Sequence, residues 1–239
     1  MIPMDILIQL VEKLQKAYGD RLVSVVLYGS AVSGNHHSKF SDYNILCVLD
    51  QITPREMAQS EDVFRWWREQ GSPSPLLLTE HEVATSTDCF AIEFRDIKAQ
   101  HRVLHGKDLI TPLEVDYSFY RAQVEHDLRA KLLRLRQKAS GMLSNEDPLR
   151  RMMADSISTF CVLFRHALNL SGAEASMAKR EVIAQASGAF GFDASPFEKL
   201  LDLREERIKP RDFDPAGQLP GYLQGIAAVI DAVDKLEKN

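Results

Sequence analysis

The stretch that most constrains this chain runs from Leu22 to Asp50, LVSVVLYGSAVSGNHHSKFSDYNILCVLD. An apolar run, Leu22 to Tyr28, stops at Gly29-Ser30. A polar loop follows, and a second apolar run, Tyr43 to Leu49, begins directly after Asp42. Both runs are short, rich in Val, Leu, Ile and Tyr, and bounded by glycine and polar residues, which predicts two buried strands. A glycine at the mouth of a strand lets backbone amides approach a phosphate closely, and a following helical turn aims its free N–H groups at it. An acid at the head of the neighbouring strand is then placed to hold the magnesium that accompanies the phosphate. Lys39, in the loop between the two runs, is placed for a phosphate contact. His36 and His37 beside it have no acid or cysteine at metal spacing and read as exposed loop residues.

The compound pattern resembles the signature of the nucleotidyltransferase superfamily with the polymerase-beta-like fold: an apolar residue, Gly-Ser or Gly-Gly, a spacer, and an acid-apolar-acid triplet opening a strand. The matching residues are Tyr28-Gly29-Ser30, a spacer of eleven residues from Ala31 to Ser41, and Asp42-Tyr43-Asn44. The resemblance implies an α/β (α+β) domain with a small mixed sheet. It also implies magnesium as cofactor and a nucleoside triphosphate, ATP first, as substrate, with the nucleoside monophosphate passing to a hydroxyl of a small molecule or protein. Gly29 and Ser30 take the nucleotide phosphates, and Asp42 is catalytic and a metal ligand. One position departs from the family: Asn44 stands where a second metal-binding acid is expected. An amide oxygen ligates a hard cation but brings no charge. Asp50 lies at the far end of the same strand and cannot stand in. Three readings follow: an enzyme impaired by Asn44, a catalytically inactive nucleotide-binding or antitoxin-like regulatory module, or a site that has lost its metals and in which Asn44 only hydrogen-bonds.

The third acid implied by the resemblance sits on a later strand. The segment Cys89 to Ile97, CFAIEFRDI, alternates Phe90, Ile92 and Phe94 against Ala91, Glu93 and Arg95, which predicts a strand. A carboxylate amid such apolar residues is costly to bury without a partner, and Glu93 is therefore the candidate third ligand and catalytic group. Asp96 points elsewhere on a strand, and a helix is expected from Ile97 to Leu104.

The rest of the chain sets the frame. Spacings of Ile6, Leu7, Leu10, Val11 and Leu14 predict an amphipathic helix over 5–17. Thr53-Pro54 with Glu56 reads as a capping box opening a helix that runs to about Gln70. Trp66 and Trp67 face different ways on it, so one of them belongs to the core. Leu76 to Leu78 is a short strand. A boundary near 106–116 separates a first domain, 1–110, from a second, 115–239, whose periodicity predicts helices over 117–138, 148–170, 179–189, 196–204 and 221–236, an all-α bundle. Its apolar stripes include Leu128, Leu132, Leu133 and Leu135 in the first helix. This plan resembles the kanamycin and streptomycin/spectinomycin type of adenylyltransferases, and also a minimal nucleotidyltransferase joined to its HEPN helical partner. Arg121 and His126 match the spacing of the HEPN ribonuclease pair, but any charged helix produces that spacing, and they read as surface residues. Arg165-His166, in an apolar helix, reads as a satisfied buried pair.

Charge narrows the partners. With 29 basic and 34 acidic residues the chain carries a net charge of -5. Residues 1–114 hold 11 basic and 16 acidic side chains, which leaves 18 of each beyond, so neither half has the surplus of a dedicated nucleic-acid binder. The basic cluster Arg129, Lys131, Arg134, Arg136 and Lys138 reads as a solvated helix face. Cys47, Cys89 and Cys161 stand in separate apolar runs, which predicts buried free thiols. No run reaches membrane-span length, and the first residues lack the basic region of a signal peptide. The expectation is a cytoplasmic protein whose partners are the nucleotide, its acceptor and, for a dimer, a second copy.

Overall fold

The computed structural model describes residues 4–32 and 43–236. The chain divides into two compact units, 1–117 and 118–239.

The first unit is built on strands β1 (Leu22–Tyr28), β2 (Asn44–Leu49), β3 (Leu76–Thr79) and β4 (His101–Gly106), in the order β3-β2-β1-β4. β1 pairs antiparallel with β2 and β4, and β2 pairs parallel with β3, so the sheet is mixed. Successive side chains of a strand point to opposite faces. On one face Val25, Leu27, Ile45, Cys47 and Leu49 meet Leu7, Leu10 and Leu14 of α1 (Met4–Tyr18) and Trp67 of α3 (Glu61–Glu69). On the other, Val26, Leu46 and Val48 meet Val83 of α4 (Glu80–Thr85) and Phe94 and Ile97 of α5 (Ala91–Ala99). The central strands are thus covered on both sides, which is why they read as continuous apolar runs.

Thr53 closes the expected capping box with Glu56 at the start of α2 (Pro54–Gln59), and Glu56 also receives the Arg21 guanidinium. The hydrogen bond from Thr53, with further help from Arg21, holds the fully buried Glu56 carboxyl below its ordinary range. Of the two tryptophans, Trp67 is the core residue.

Several expectations are corrected. The 54–70 segment is two helices, broken at Ser60, whose hydroxyl bonds back to the Met57 carbonyl at 3.2 Å. The expected strand over 89–97 is helix α5. Ala91, Ile92, Phe94 and Ile97 are its buried residues, one helical stripe, and the Phe90-Ile92-Phe94 alternation is incidental: Phe90 is 47% exposed. The expected helix over 97–104 gives way to β4, an edge strand. Cys89 is exposed, whereas Cys47 and Cys161 are buried, with thiols pushed up to about 12 by that burial.

The second unit contains α6 (Tyr120–Ser140), α7 (Glu146–Leu170), α8 (Lys179–Phe190), α9 (Ser195–Arg204) and α10 (Pro215–Lys235). α7 packs against each of the other four, and every residue from Leu163 to Leu168 is buried, the pattern of a helix covered on all sides. Leu128, Leu132 and Leu135 form the buried stripe of α6, but Leu133 is 59% exposed and does not belong to it. Phe164, Phe192, Phe197 and Tyr222 stack with ring centroids 4.8 to 5.7 Å apart. Gly225 lets Phe197 approach: a Cβ there would lie 2.6 Å from the ring. Among the described residues no helix is long and apolar enough to cross a membrane.

Phe197 is fully buried at the centre of this aromatic group. Phe197→Ala is therefore expected to cost ~3–5 kcal/mol in urea denaturation, with the midpoint shifted and little change in slope.

Candidate functional site

The site grows from the register of β1 and its two neighbours. Tyr28, the last residue of β1, lies opposite Asn44 of β2 and opposite His101 of β4. Directly paired residues of adjacent strands project to the same face, so Tyr28, Asn44 and His101 form one rung across three strands. Tyr28 packs with the cluster that contains Val26, Leu46, Phe94 and Ile97, which assigns the rung to the face covered by α5.

Immediately beyond the rung the chain turns. Gly29 adopts φ +79°, a conformation that favours glycine, and opens a 3-10 turn over Gly29–Ala31 closed by a bond from the Val32 amide to the Gly29 carbonyl at 3.0 Å. The Gly29 amide donates to the Gln100 carbonyl at 3.0 Å, which ties the turn to the chain entering β4. A Cβ on Gly29 would sit 3.3 Å from Asn44 Nδ2. The glycine therefore allows both the turn and the close seat of Asn44 against it. Ser30 belongs to the same turn.

α5 packs against this turn and carries two acids. Glu93 and Asp96 are three residues apart, which on a helix puts them on neighbouring positions of one side. Burial first, and then the negative charges of Glu93 and Asp96, push the Tyr28 phenol up to about 12, so Tyr28 stays protonated at neutral pH. On the edge strand, His101 Nε2 lies 3.6 Å from Asp108, whose carboxyl is lowered to about 2, chiefly by the Thr111 hydroxyl and amide.

The structure thus brings Gly29, Ser30 and Asn44 to one end of the sheet, with Glu93 supplied from a helix. Asp42 and Lys39, and with them His36 and His37, lie outside the described residues. Two further groups of this region are not legible as neighbours in the sequence: Asp96 lies beside Glu93 only because the segment is helical, and His101 pairs with Tyr28 only because 101–106 is a strand. Among the described residues no group of three His, Cys, Asp or Glu side chains forms a metal cage. Glu93 and Asp96, whose charge reaches Tyr28, and the amide of its strand partner Asn44 offer hard oxygen donors. The negative charge of the two acids adds to burial, the larger cause, in raising the Tyr28 phenol. That set fits a hard divalent cation.

Other candidate pairs are structural. Arg121 bonds Glu125 at 2.8 Å, and His126 is an exposed surface residue beside Asp127. Arg165 and His166 are both buried, with Tyr120 Oη 2.6 Å from His166 Nδ1.

A family model described as a nucleotidyltransferase domain matches residues 7–139. The chain belongs to this family. The match takes in the whole sheet, the Gly29 turn and α5. Among solved structures, spectinomycin adenyltransferase AAD(9) from Enterococcus faecialis, crystallised with ATP and spectinomycin, superposes with a TM-score of 0.61 at 14% identity. The superposition covers 98% of this chain and 100% of that one, so the likeness in fold extends through the helical unit. No curated protein matches the sequence.

The strain at Gly29 is testable by itself. Gly29→Ala is expected to cost ~1–2 kcal/mol in denaturant unfolding, because an L-residue is forced into the left-handed region. The loss should persist when Asn44 is also replaced by Ala, since it arises in the backbone rather than in the 3.3 Å contact.

Proposed function

We propose that this protein transfers a nucleoside monophosphate from a nucleoside triphosphate, ATP first, to a hydroxyl of a small molecule or protein. The observation that carries the reading is the conjunction at the end of β1: a left-handed glycine turn, Asn44 seated against it, and two acids of α5 whose charge reaches Tyr28, in a chain of the nucleotidyltransferase family. Backbone amides of the Gly29–Ser30 turn and the Lys39 ammonium bind the β- and γ-phosphates. Asp42, Asn44 and Glu93, joined by Asp96, hold magnesium. When bound, magnesium neutralises phosphate charge and stabilises the in-line displacement at the α-phosphorus. The acceptor oxygen forms a bond to that phosphorus as the bridging bond to the β-phosphate breaks and pyrophosphate leaves. Glu93 takes the proton released by the acceptor hydroxyl. Tyr28, kept protonated, bounds the site at the strand end. The helical unit selects the acceptor, and the setting is cytoplasmic.

The small-molecule acceptor is supported by the fold shared with a spectinomycin adenyltransferase. A second reading, a nucleotide-binding regulator without transfer, is favoured by Asn44 alone, which leaves the metal-binding set one carboxylate short.

Pyrophosphate release with ATP and magnesium, assayed across a panel of aminoglycosides and other hydroxyl compounds, separates the two. The enzyme reading expects turnover above background with at least one acceptor, abolished by Asp42→Ala and raised by Asn44→Asp. Release that stays at background for wild type and Asn44→Asp alike would overturn it. Between the two acids of α5, Glu93→Gln is expected to lower kcat by about 10²-fold or more, with Asp96→Asn milder and expressed mainly in the magnesium requirement.

A further inference from the structure

A groove in the helical unit concentrates positive charge without partners. It lies between the C-terminal half of α6 and the N-terminal half of α7 and has a volume of about 540 Å³. Lys131, Arg134 and Lys138 line it from α6, at spacings of three and four that put them on one face of that helix, and Arg151 lines it from α7. Asp155 is the single carboxylate in the lining. Among the described residues none of these four cations makes an ion pair. Neighbouring arginines do: Arg129 is held by Glu125, Arg150 by Asp147 and Arg180 by Asp202. Acids flank these three arginines, whereas the four cations of the groove share one carboxylate in its lining. Converging like charges repel, and that repulsion is relieved by a bound anion.

The floor adds a second requirement. Leu135, Met152 and Phe160 line the groove and are each at most 9% exposed, so it has an apolar base beneath the cationic rim. Thr159 lines the same space. The volume lies within the ~300–1,000 Å³ of small-molecule sites, and Arg151 of α7 adds a fourth cation across the cavity from the three of α6, so the charge gathers on one cavity from two helices.

We propose that this groove is a binding site for a phosphorylated small molecule with a flat apolar body. The phosphate engages Arg134, Arg151 and the two lysines, and the body lies on Leu135, Met152 and Phe160. The site stands independently of the nucleotide chemistry proposed for the first unit.

The test is calorimetric titration of the full chain with 1-naphthyl phosphate and with inorganic phosphate, without magnesium or nucleotide. A lysine acetylation footprint is taken in parallel. The naphthyl compound is expected to bind at least about tenfold more tightly than inorganic phosphate, because it also buries apolar surface. It should shield Lys131 and Lys138 from acetylation. Arg134→Glu combined with Arg151→Glu should weaken binding by about 10²-fold or more, and Lys131→Ala combined with Lys138→Ala should act in the same direction. All four side chains are exposed, so thermal unfolding should not change. Equal affinity for the two phosphates, binding that survives the arginine changes, or unshielded lysines would each overturn the proposal. Capture of a single-stranded oligonucleotide by the same cations, with no binding of 1-naphthyl phosphate, would assign the groove to nucleic acid instead.

Discussion

Everything at the candidate site depends on the antiparallel register of β1 and β2. Pairing Tyr28 with Asn44 sends Asn44 to the α5 face and brings it against Gly29. A slip of one residue would reverse every side chain of β2, moving Asn44 to the α1 face and Ile45 and Cys47 out of the opposite core. The register decides which side chains of the two strands meet α1 and α3 and which meet α4 and α5. Core packing and site geometry are thus one constraint. The β1 turn needs a residue that tolerates positive φ, and the seat of Asn44 needs one without a side chain, and glycine satisfies both.

The strands β1 and β2 were legible because they are central: covered on both faces, they consist of apolar residues almost without interruption. The helices of the second unit were legible for a related reason, their stripes repeating over three or more turns. What misled was short and peripheral. CFAIEFRDI contains too few residues to separate a period of 2 from one of 3.6, and Ala91, Ile92, Phe94 and Ile97 satisfy the helix as well as Phe90, Ile92 and Phe94 satisfy the strand. β4, HRVLHG, flanks Val103 and Leu104 with polar residues, as an edge strand can. The two misreadings are coupled: turning 91–99 into a helix moves the following strand to 101–106. That exchange supplies Asp96 as a neighbour of Glu93 and places His101 on the rung beside Tyr28.

The basic run Arg129, Lys131, Arg134, Arg136 and Lys138 is visible in the sequence, but which of its members meet acids and which line a groove is not. A net charge of -5 and balanced halves give no hint of a local surplus, because composition does not record which acids sit beside which bases. Glu125 neutralises Arg121 and Arg129 one turn away on α6, while Lys131, Arg134 and Lys138 face a groove with a single carboxylate. The same helix therefore has a neutralised portion and a charged one. At the other end of the molecule's chemistry, Asn44 works in the opposite sense. It brings an amide where a carboxylate would add negative charge beside the β1 turn, so the proposed cation site is one charge poorer.

The most direct measurement of the central claim is calorimetric titration of ATP, with and without magnesium, into wild type and Asn44→Asp. The account predicts magnesium-dependent binding to wild type that tightens in Asn44→Asp, since the substitution adds a negative charge where a hard cation is held. Binding to both proteins that is indifferent to magnesium, or no binding to either, would contradict it.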